Sequence, residues 1–307
     1  MGYVTPVIAT TREQLQHYIA EYLTLRSNAV QDSQALSLGL VPTMGALHDG
    51  HKSLIESSVA NNAVTVVSIF VNPTQFAPTE DLAKYPRTLE QDIEICTNLG
   101  VDIIFTPDSR EMYDTDEITL CPPKSMGYIL EGYYRPTHFA GVLQIVLKLF
   151  NLMLLPASLL SRCAIRGYCV RAYFGKKDAQ QLVIVQKMVR DLCLPIEVVP
   201  MPIVRDSDSL ALSSRNVYLD SIQRKEALAL PRAILRMQHL ILQNDVRNIA
   251  ALKNEAAAVL QGLQVDYMDF YTHDLKLIGD QDVARNCIFL VAIRIGTIRL
   301  LDNLWIE

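Results

Sequence analysis

The feature that most constrains the fold is an alternation of apolar runs with amphipathic stretches over the first two thirds of the chain. The runs LSLGLV, VTVVSIFV and VDIIFTP, and later RAYF and IEVVPMPIV, are nearly continuous in apolar or β-branched residues. The intervening stretches HKSLIESSVANN, TLEQDIEICTNLG and DAQQLVIVQKMVRDL have helical spacing. Strands that are apolar on both faces and alternate with helices predict a parallel sheet covered on both sides, a Rossmann-like α/β domain.

The pattern changes after about Val204. Two long helical stretches, SIQRKEALALPRAILRMQHLILQ and NIAALKNEAAAVLQGL, precede the strand-like runs VDYMDFYT, CIFLVAIRI and TIRLLDN. This order is typical of a smaller α+β domain. A chain of 307 residues can form two cores, so we predict domains at 1–203 and 204–307.

Composition excludes several classes of protein. The formal charge is −5, from 28 basic and 33 acidic residues, which argues against nucleic-acid binding through a broad basic face. The six cysteines include no CxxC pair, as expected for reduced thiols of a cytoplasmic protein. The N-terminal stretch lacks the pattern of a secretory signal. The apolar run Val142–Leu160 is interrupted by polar residues and Pro156, which favours a buried helix over a membrane span.

The stretch VPTMGALHDGHKSLI contains two histidines, His48 and His51, between a predicted strand and a predicted helix. Such a loop lies at the carboxyl edge of a parallel sheet, where open α/β proteins bind ligands. Gly45 and Gly50 permit close backbone approach, and a helix N-terminus favours anions. Three roles are open for the histidines: contact with phosphate, binding of a metal, or an ordinary polar position in a loop.

Further motifs follow in order along the chain: SIFVNPTQFAPTEDLAKYPRTLEQD, RPTHFAGV, AYFGKKDAQQL, VRDSDSLALSSRN and RLLDN. Together with VPTMGALHDGH, they resemble the pantothenate synthetase (pantoate–β-alanine ligase) family from about residue 36 to the C-terminus. The resemblance implies a nucleotidyltransferase-type Rossmann domain, a C-terminal lid domain and a homodimer. It also implies condensation of pantoate with β-alanine, with ATP as a substrate, Mg²⁺ as cofactor, and AMP and pyrophosphate as products.

The resemblance also assigns site residues. The expected catalytic residues are His48, His51, Lys177 and Arg215, and the expected pantoate-binding residues are Gln75 and Gln181. The ATP-binding residues it implies are Met44, Gly45, Ala46, Leu47, His48, Asp49, Gly50, His51, Gly175, Lys176, Lys177, Asp178, Val204, Leu212, Ser213, Ser214 and Arg215.

Several of these positions have a second interpretation. Asp92 either helps to hold Mg²⁺ or is a favourable acid in the first turn of a helix. Lys176 stands where the family usually has Glu, so it is either a phosphate contact or one of a surface lysine pair. Gln181 either binds substrate through its amide, which donates and accepts, or is a solvated helix position.

One segment departs from the family. Nineteen residues, 152–170, join LKLFN to RAYFG, where the family has about five. We expect this insertion to loop out of the domain, leaving Gly175 to Asp178 in register, because loop-closure cost grows slowly with length. Two other functions are open: another nucleotidyltransferase of the same fold, or a family member inactivated by the insertion.

Overall fold

The computed structural model describes residues 5–29, 36–77, 82–279, 282–283 and 285–307. Residues 78–81 of the predicted motif that begins at Ser68 lie outside this part of the chain. The chain forms two compact units: the first runs to Gly175 and includes Ile184–Met201, and the second comprises Lys176–Val183 and Pro202–Glu307. The predicted domain boundary after residue 203 stays a prediction. The chain passes from the first unit to the second for the last time after Met201.

The first unit contains a parallel sheet, and the described part of it has the strand order β1-β4-β3-β2-β5-β6. The order reverses at β2, because the chain moves from β2 to β3 on one side and later returns to β5 on the other. The strands are β1 (Val7–Ala9), β2 (Leu36–Thr43), β3 (Val64–Ile69), β4 (Ile103–Phe105), β5 (Tyr168–Gly175) and β6 (Ile196–Met201). The sequence pattern predicted every one of these strands except β1.

Helices accompany this sheet. Their bounds are α1 (Arg12–Ala29), α2 (Asp49–Asn61), α3 (Leu89–Leu99), α4 (Ser109–Met112), α5 (Lys124–Gly127), α6 (Glu131–Tyr134), α7 (His138–Met153), α8 (Ala157–Arg162) and α9 (Ala179–Asp191). Side chains from β2, α2, β3 and β4 form a buried apolar cluster that includes Val41, Ile55, Val67 and Ile104. This core fixes the ends of β2 and β5, which are adjacent in the sheet.

Helix α7 is the apolar run that the sequence analysis assigned to the interior. By length and composition alone, His138–Arg162 would be long enough to cross a membrane, and 44% of its most apolar window is buried in the fold. Ten residues of α7 are buried, among them Phe139 and Phe150, and the helix contacts α1, β2 and the 3-10 turn Pro73–Gln75. These contacts make α7 a core helix of the first unit.

The structure corrects the expectation that 152–170 loops out. Its first two residues extend α7, its last three open β5, and α8 lies between. Leu155 and Ile165 are buried, and the Tyr168 hydroxyl donates to the Met153 carbonyl at 2.6 Å while accepting the Leu155 N–H at 2.7 Å. The Leu155 and Ile165 side chains are covered within the unit because exposing them to water is unfavourable, whereas α8 has no buried residue. Strand β5 still ends at Gly175, as expected.

The second unit has an antiparallel sheet in the order β7-β8-β9. Its strands are β7 (Gln264–Thr272), β8 (Cys287–Ile295) and β9 (Ile298–Ile306), and its helices include α10 (Ser221–Ala227), α11 (Ala229–Leu242) and α12 (Ile249–Val259). The core joins these helices to the sheet through residues such as Leu230, Met237 and Phe289. The predicted fold class, a parallel α/β domain followed by a smaller α+β domain, is confirmed.

The first long predicted helix of this unit is divided at Leu228, which ends α10 and precedes α11. Pro231 lies in the first turn of α11, where its missing N–H breaks no intrahelical hydrogen bond. Further into a continuous helix, the same proline would remove one. The single predicted helix therefore becomes two.

Candidate active site

The loop between β2 and α2 makes a sharp turn at Gly45 and Ala46. Both residues have positive φ values, 81° and 51°, a conformation that is uncommon for alanine. The buried carboxylate of Asp92 holds the turn by accepting the N–H of Ala46 at 3.0 Å and the N–H of Leu47 at 2.8 Å. The helix α3 therefore fixes the loop that carries the two histidines.

These contacts give Asp92 a role other than magnesium binding. Its Oδ2 also accepts a hydrogen bond from the Thr88 hydroxyl at 3.3 Å, so both oxygens already have donors. The residues described by the structure contain no group of three or more His, Cys, Asp or Glu side chains placed to hold a metal ion. The donor set at Asp92 does not fit a magnesium site, and the geometry favours its interpretation as a first-turn acid of α3.

His48 and His51 cap the N-terminus of α2 reciprocally. His48 Nδ1 accepts the N–H of Gly50 at 3.2 Å, and His51 Nδ1 accepts the N–H of His48 at 3.3 Å. A backbone N–H can only donate, so neither Nδ1 carries a proton in this arrangement. The proton of each neutral ring is therefore on Nε2, which makes Nε2 a hydrogen-bond donor in both residues.

The two rings lie together at the carboxyl edge of the sheet, with their centroids 4.1 Å apart. Both residues are half-buried, so neither is a core histidine. Histidine side chains next to the positive end of a helix dipole favour an anionic ligand, such as a phosphate group.

A second cluster surrounds Gln75, at the end of the 3-10 turn Pro73–Gln75. Gln75 is buried, its Oε1 accepts from Asn72 Nδ2 at 3.1 Å, and its Nε2 contacts the sulfur of Met44 in the histidine loop. The backbone carbonyl of Gln75 accepts from His138 Nδ1 at 3.1 Å. The first unit thus brings this predicted pantoate-binding residue next to the predicted ATP-binding loop.

Sequence reasoning missed the residues that support Gln75. Asn72, which is buried, accepts from the Tyr113 hydroxyl at 2.7 Å and donates to the carbonyl of Gly141 at 3.1 Å. Burial raises the pKa of Tyr113 to about 12, so the phenol remains a donor at neutral pH. An Asn before Pro signals a capped turn, but only the fold shows that this turn meets α7.

The tautomer of His138 is opposite to that of the loop histidines. Its Nδ1 must donate, because the Gln75 carbonyl can only accept. Its Nε2 lies 3.2 Å from a guanidinium nitrogen of Arg135, which can only donate. Arg135 and His138 therefore hold the backbone of Gln75 from one side, with a neutral imidazole between them.

In the second unit, the predicted lysines form the 3-10 turn Lys176–Asp178. The ammonium of Lys176 bonds Glu307 and lies 5.2 Å from the centroid of the Trp305 ring. The ammonium of Lys177 lies 3.2 Å from Asp178. Lys176 is thus directed to the C-terminal strand, which favours a structural role over phosphate contact. The ammonium of Lys177 is paired with the adjacent Asp178.

The segment 204–215 forms a closed loop in the same unit. The N–H of Leu212 donates to the carbonyl of Val204 at 3.1 Å, and Arg205 pairs with Ala211. Ser213 then caps the 3-10 helix Ser214–Tyr218 by accepting the N–H of Arg215 at 3.3 Å. Arg215 itself is exposed.

The remaining predicted positions are placed as follows. Gln181 lies half-buried in the first turn of α9 and belongs to the second unit with Lys177 and Arg215. Asp49 is the first residue of α2, and Gly175 is the last of β5. The predicted site residues are therefore divided between the two units, with the histidine loop and Gln75 in the first and Lys177, Gln181 and Arg215 in the second.

Fold and loop together define a class of protein. A parallel sheet whose strand order reverses at β2, with two histidines at a helix N-terminus in the loop after that strand, is typical of nucleotide-binding α/β proteins. Residues 8–305 match the family described as pantoate-beta-alanine ligase. The chain belongs to that family, and the resemblance noted in the sequence is confirmed.

Known proteins similar to this chain extend over almost all of it. Pantothenate synthetase of Helicobacter acinonychis (strain Sheeba) is 48% identical over 273 residues, covering 88% of this chain and 93% of the relative. That of Campylobacter curvus (strain 525.92) is 45% identical over 300 residues, covering 98% of this chain and all of the relative.

Two solved structures have the same fold. Pantothenate synthetase from Thermus thermophilus superimposes with a TM-score of 0.81 at 37% identity, covering 97% of this chain and 98% of that one. The pantoate-beta-alanine ligase of Francisella tularensis, solved with β-γ ATP and β-alanine, gives a TM-score of 0.71 at 32% identity, covering 98% and 97%.

Proposed function

We propose that this protein condenses pantoate with β-alanine at the expense of ATP, forming pantothenate, AMP and pyrophosphate. Family membership supports this activity, and the Francisella relative was solved with β-γ ATP and β-alanine. The structural observation that carries the proposal is the histidine pair at the switch point of the sheet. Hydrogen bonds at Nδ1 fix the orientation of both rings.

The reaction is proposed to pass through an acyl adenylate. A carboxylate oxygen of pantoate attacks the α-phosphorus of ATP, and the bond to the bridging oxygen of pyrophosphate breaks. The amine of β-alanine then attacks the acyl carbon, AMP leaves with the carboxylate oxygen, and the amine loses a proton. The first step joins two anions, so charge neutralisation and alignment should provide most of the rate enhancement.

His48 and His51 would donate to phosphate oxygens of ATP, and Lys177 and Arg215 would neutralise the charge that develops on the leaving pyrophosphate. No proton has to be transferred when a carboxylate attacks phosphorus, so the histidines are hydrogen-bond donors in this scheme. Backbone and side-chain groups of Met44–Leu47, Ser213 and Ser214 would complete the binding of ATP.

Gln75 and Gln181 would bind pantoate, which has both hydroxyl groups and a carboxylate. An amide side chain can donate to the carboxylate and accept from a hydroxyl. Gln75 suits this role because its environment limits its rotamers: Asn72 and Met44 contact its amide, and His138 holds its backbone.

We further propose that the protein is a cytoplasmic homodimer and that Mg²⁺ enters with the phosphates of ATP. Mg²⁺ is commonly bound by substrate phosphates and water with few protein ligands. No step assigned above depends on a metal ion held by Asp92.

Product analysis tests the proposed function. The protein is incubated with ATP, pantoate and β-alanine, and we expect pantothenate, AMP and pyrophosphate in equal amounts. With β-alanine omitted, labelled pyrophosphate should still exchange into ATP if the adenylate forms as a separate step. Formation of ADP, or exchange that strictly requires β-alanine, would rule out the adenylate route.

Two other outcomes correspond to the alternatives. ATP binding without any turnover would indicate an inactive family member. Turnover only with a different, phosphorylated acceptor would indicate another nucleotidyltransferase. The first alternative is disfavoured by the structure of 152–170, which leaves β5 and the turn Lys176–Asp178 formed. A nucleotidyltransferase with a phosphorylated acceptor would need additional basic residues for the acceptor phosphate. Among the described residues, we find no further cluster of this kind beyond the predicted ATP-binding positions.

A further inference from the structure

Two adjacent polar residues of β9, Asp302 and Asn303, are buried in the second unit, with 1% and 2% of their surface exposed. Burying a carboxylate and an amide in a strand is unfavourable unless both find partners. The carboxylate of Asp302 and the Nδ2 of Asn303 bind the two segments of this unit that contain the predicted phosphate-binding residues. The Oδ1 of Asn303 has no hydrogen-bond partner among the described residues.

Asn303 holds the lysine turn. Its Nδ2 donates to the carbonyl of Lys177 at 2.7 Å and to that of Lys176 at 3.0 Å. Trp305, two residues further along β9, donates through Nε1 to the same Lys176 carbonyl at 3.3 Å. A single amide group has two N–H bonds, and here both are used on consecutive carbonyls. The backbone of the turn is thereby fixed while the ammonium of Lys177 is left outside these contacts.

Asp302 holds the loop that leads to Ser213 and Arg215. Its carboxylate binds the guanidinium of Arg205 in a bidentate pair, with N–O distances of 2.6 and 2.9 Å. The same guanidinium donates to the carbonyl of Ser209 at 3.1 Å, across the closed loop. Bidentate pairs of this kind fix orientation as well as distance.

The two anchors are also joined to each other. Oδ1 of Asp302 accepts the backbone N–H of Asn303 at 2.8 Å, and both residues are paired with β8 through Val291 and Leu290. A shift of β9 at this point would therefore move both segments together, although Lys177 and Asn303 are separated by 126 positions in the sequence.

We propose that Asp302 and Asn303 are positioning residues for phosphate binding, which set the placement of Lys177 and Arg215 relative to each other. This inference rests on the proposed function, because it assumes that Lys177 and Arg215 contact ATP. A purely structural role is the competing explanation. A buried ion pair is weak evidence for a stabilising role, because its net contribution is often small, so the test must separate ATP binding from stability.

The test compares Asn303→Leu with a matched control. The leucine fills a similar volume but removes both donors, so we expect the Kd for ATP and the KM for ATP to rise about tenfold, the effect of losing hydrogen bonds that orient a binding group. The KM for β-alanine should change less than twofold. Asp302→Asn, which weakens the pair with Arg205, should change ATP binding in the same direction.

Asp266→Asn is the control. Asp266 is on β7 of the same sheet, its side chain is 4% exposed, and it pairs with Arg294 and Arg299. We expect this variant to lower Tm by at least as much as Asp302→Asn while leaving the KM for ATP within twofold of the wild type. If Asn303→Leu does not fold, Asp302→Asn and the control still give the comparison.

Direct titration with ATP separates this inference from the proposed function. If the wild type binds ATP but makes no pantothenate, the proposed function fails, and the comparison of Kd values still tests the positioning role. Normal ATP affinity in folded Asn303→Leu and Asp302→Asn would overturn the inference, as would an equal loss of ATP affinity in Asp266→Asn.

Discussion

At the scale of single residues, the important property of the loop after β2 is that the two ring nitrogens of His48, and likewise those of His51, have different roles. Nδ1 accepts a backbone N–H and orients the ring, and Nε2 presents the proton. The sequence spacing left phosphate contact as one of three possible roles and could not indicate which nitrogen carries the proton, because the tautomer depends on the capping geometry.

The histidines give the first prediction. His48→Ala and His51→Ala should each lower kcat about 100-fold or more, since each removes a preorganised donor. His48→Ala should in addition lower Tm slightly, because a lost N-cap costs about 1 kcal/mol. Steady-state kinetics and thermal melting measure these effects.

His17→Ala is the control, because His17 is exposed on α1, and it should leave both quantities unchanged. Near-normal turnover in both loop variants would show that the histidines are ordinary polar loop residues. Activity recovered by added Zn²⁺ would indicate a metal site.

The two glutamines give the second prediction. Gln75→Ala and Gln181→Ala should raise the KM for pantoate by about 5- to 100-fold, corresponding to about 1–3 kcal/mol for a lost hydrogen-bond partner in a closed site. The KM for ATP should change little. Gln186→Ala is a matched control from the exposed side of α9. Equal effects on pantoate and ATP would contradict the assignment of these residues.

At the scale of elements, the contact between α7 and the 3-10 turn Pro73–Gln75 is what determines the position of Gln75. Gly141 permits this contact: a Cβ added there would lie 2.4 Å from the Thr74 carbonyl oxygen and 2.5 Å from the Gln75 nitrogen. Both atoms belong to the backbone, so the turn itself would have to move.

We therefore expect Gly141→Ala to raise the KM for pantoate about tenfold or more, because small displacements of binding groups are costly in a closed site. Tm should also fall. Gly167→Ala is the control, since a Cβ at Gly167 would meet no atom within 4 Å. If Gly141→Ala kept the wild-type KM for pantoate, Gln75 would not be bound to substrate in the way proposed.

The segment 152–170 is a second case in which the elements depart from the sequence prediction. Tyr168→Phe removes the hydroxyl that joins the end of α7 to the start of β5, so we expect it to destabilise the fold by about 1–2 kcal/mol. Activity at room temperature should be unchanged, because the active-site residues do not depend on that hydroxyl.

Chemical denaturation measures this effect, and Tyr133→Phe, which alters a 71% exposed side chain, is the control. Equal stability of Tyr168→Phe and the wild type would mean that the segment is held by its apolar residues alone.

At the scale of the whole molecule, the chain forms two units with separate apolar cores, and the sequence predicted both. It did so because strand periodicity and helix periodicity are local properties. It missed β1, the break at Leu228 and the hydrogen bonds by which Asp92 holds the histidine loop. Asp92 contacts backbone groups 45 and 46 positions away, and no local pattern contains such information. The support of Gln75 by Tyr113 and Gly141 was missed for the same reason.

Ion pairs in both units give a prediction for the dependence of stability on pH. Hydrogen bonds from Arg224 lower the pKa values of Asp206 and Asp208, and Arg12 and Lys148 do the same for Glu111 and Glu117. These carboxyls have lower pKa values when folded than when unfolded. Their stabilising effect is therefore complete above the unfolded values, near pH 4–4.5, and is lost as the pH falls through the folded values.

We expect Tm to decrease between about pH 5 and pH 3, and less steeply in Arg224→Gln, whose two carboxylates have lost their shared cation. Asp102 acts in the opposite direction, since burial raises its pKa. A Tm that stays constant down to the acid end of this range would show that these pairs do not survive in solution.

The reciprocal cap of α2 has one more consequence. In a simple anion site at a helix end, the ligand touches the backbone N–H groups themselves. Here the N–H groups of His48 and Gly50 bind imidazoles, and each imidazole passes the polarisation on through its far nitrogen, because a ring that accepts at one side donates more strongly at the other. In the proposed complex, the helix dipole would therefore act on phosphate through an intervening imidazole ring, and its effect would depend on these two side chains.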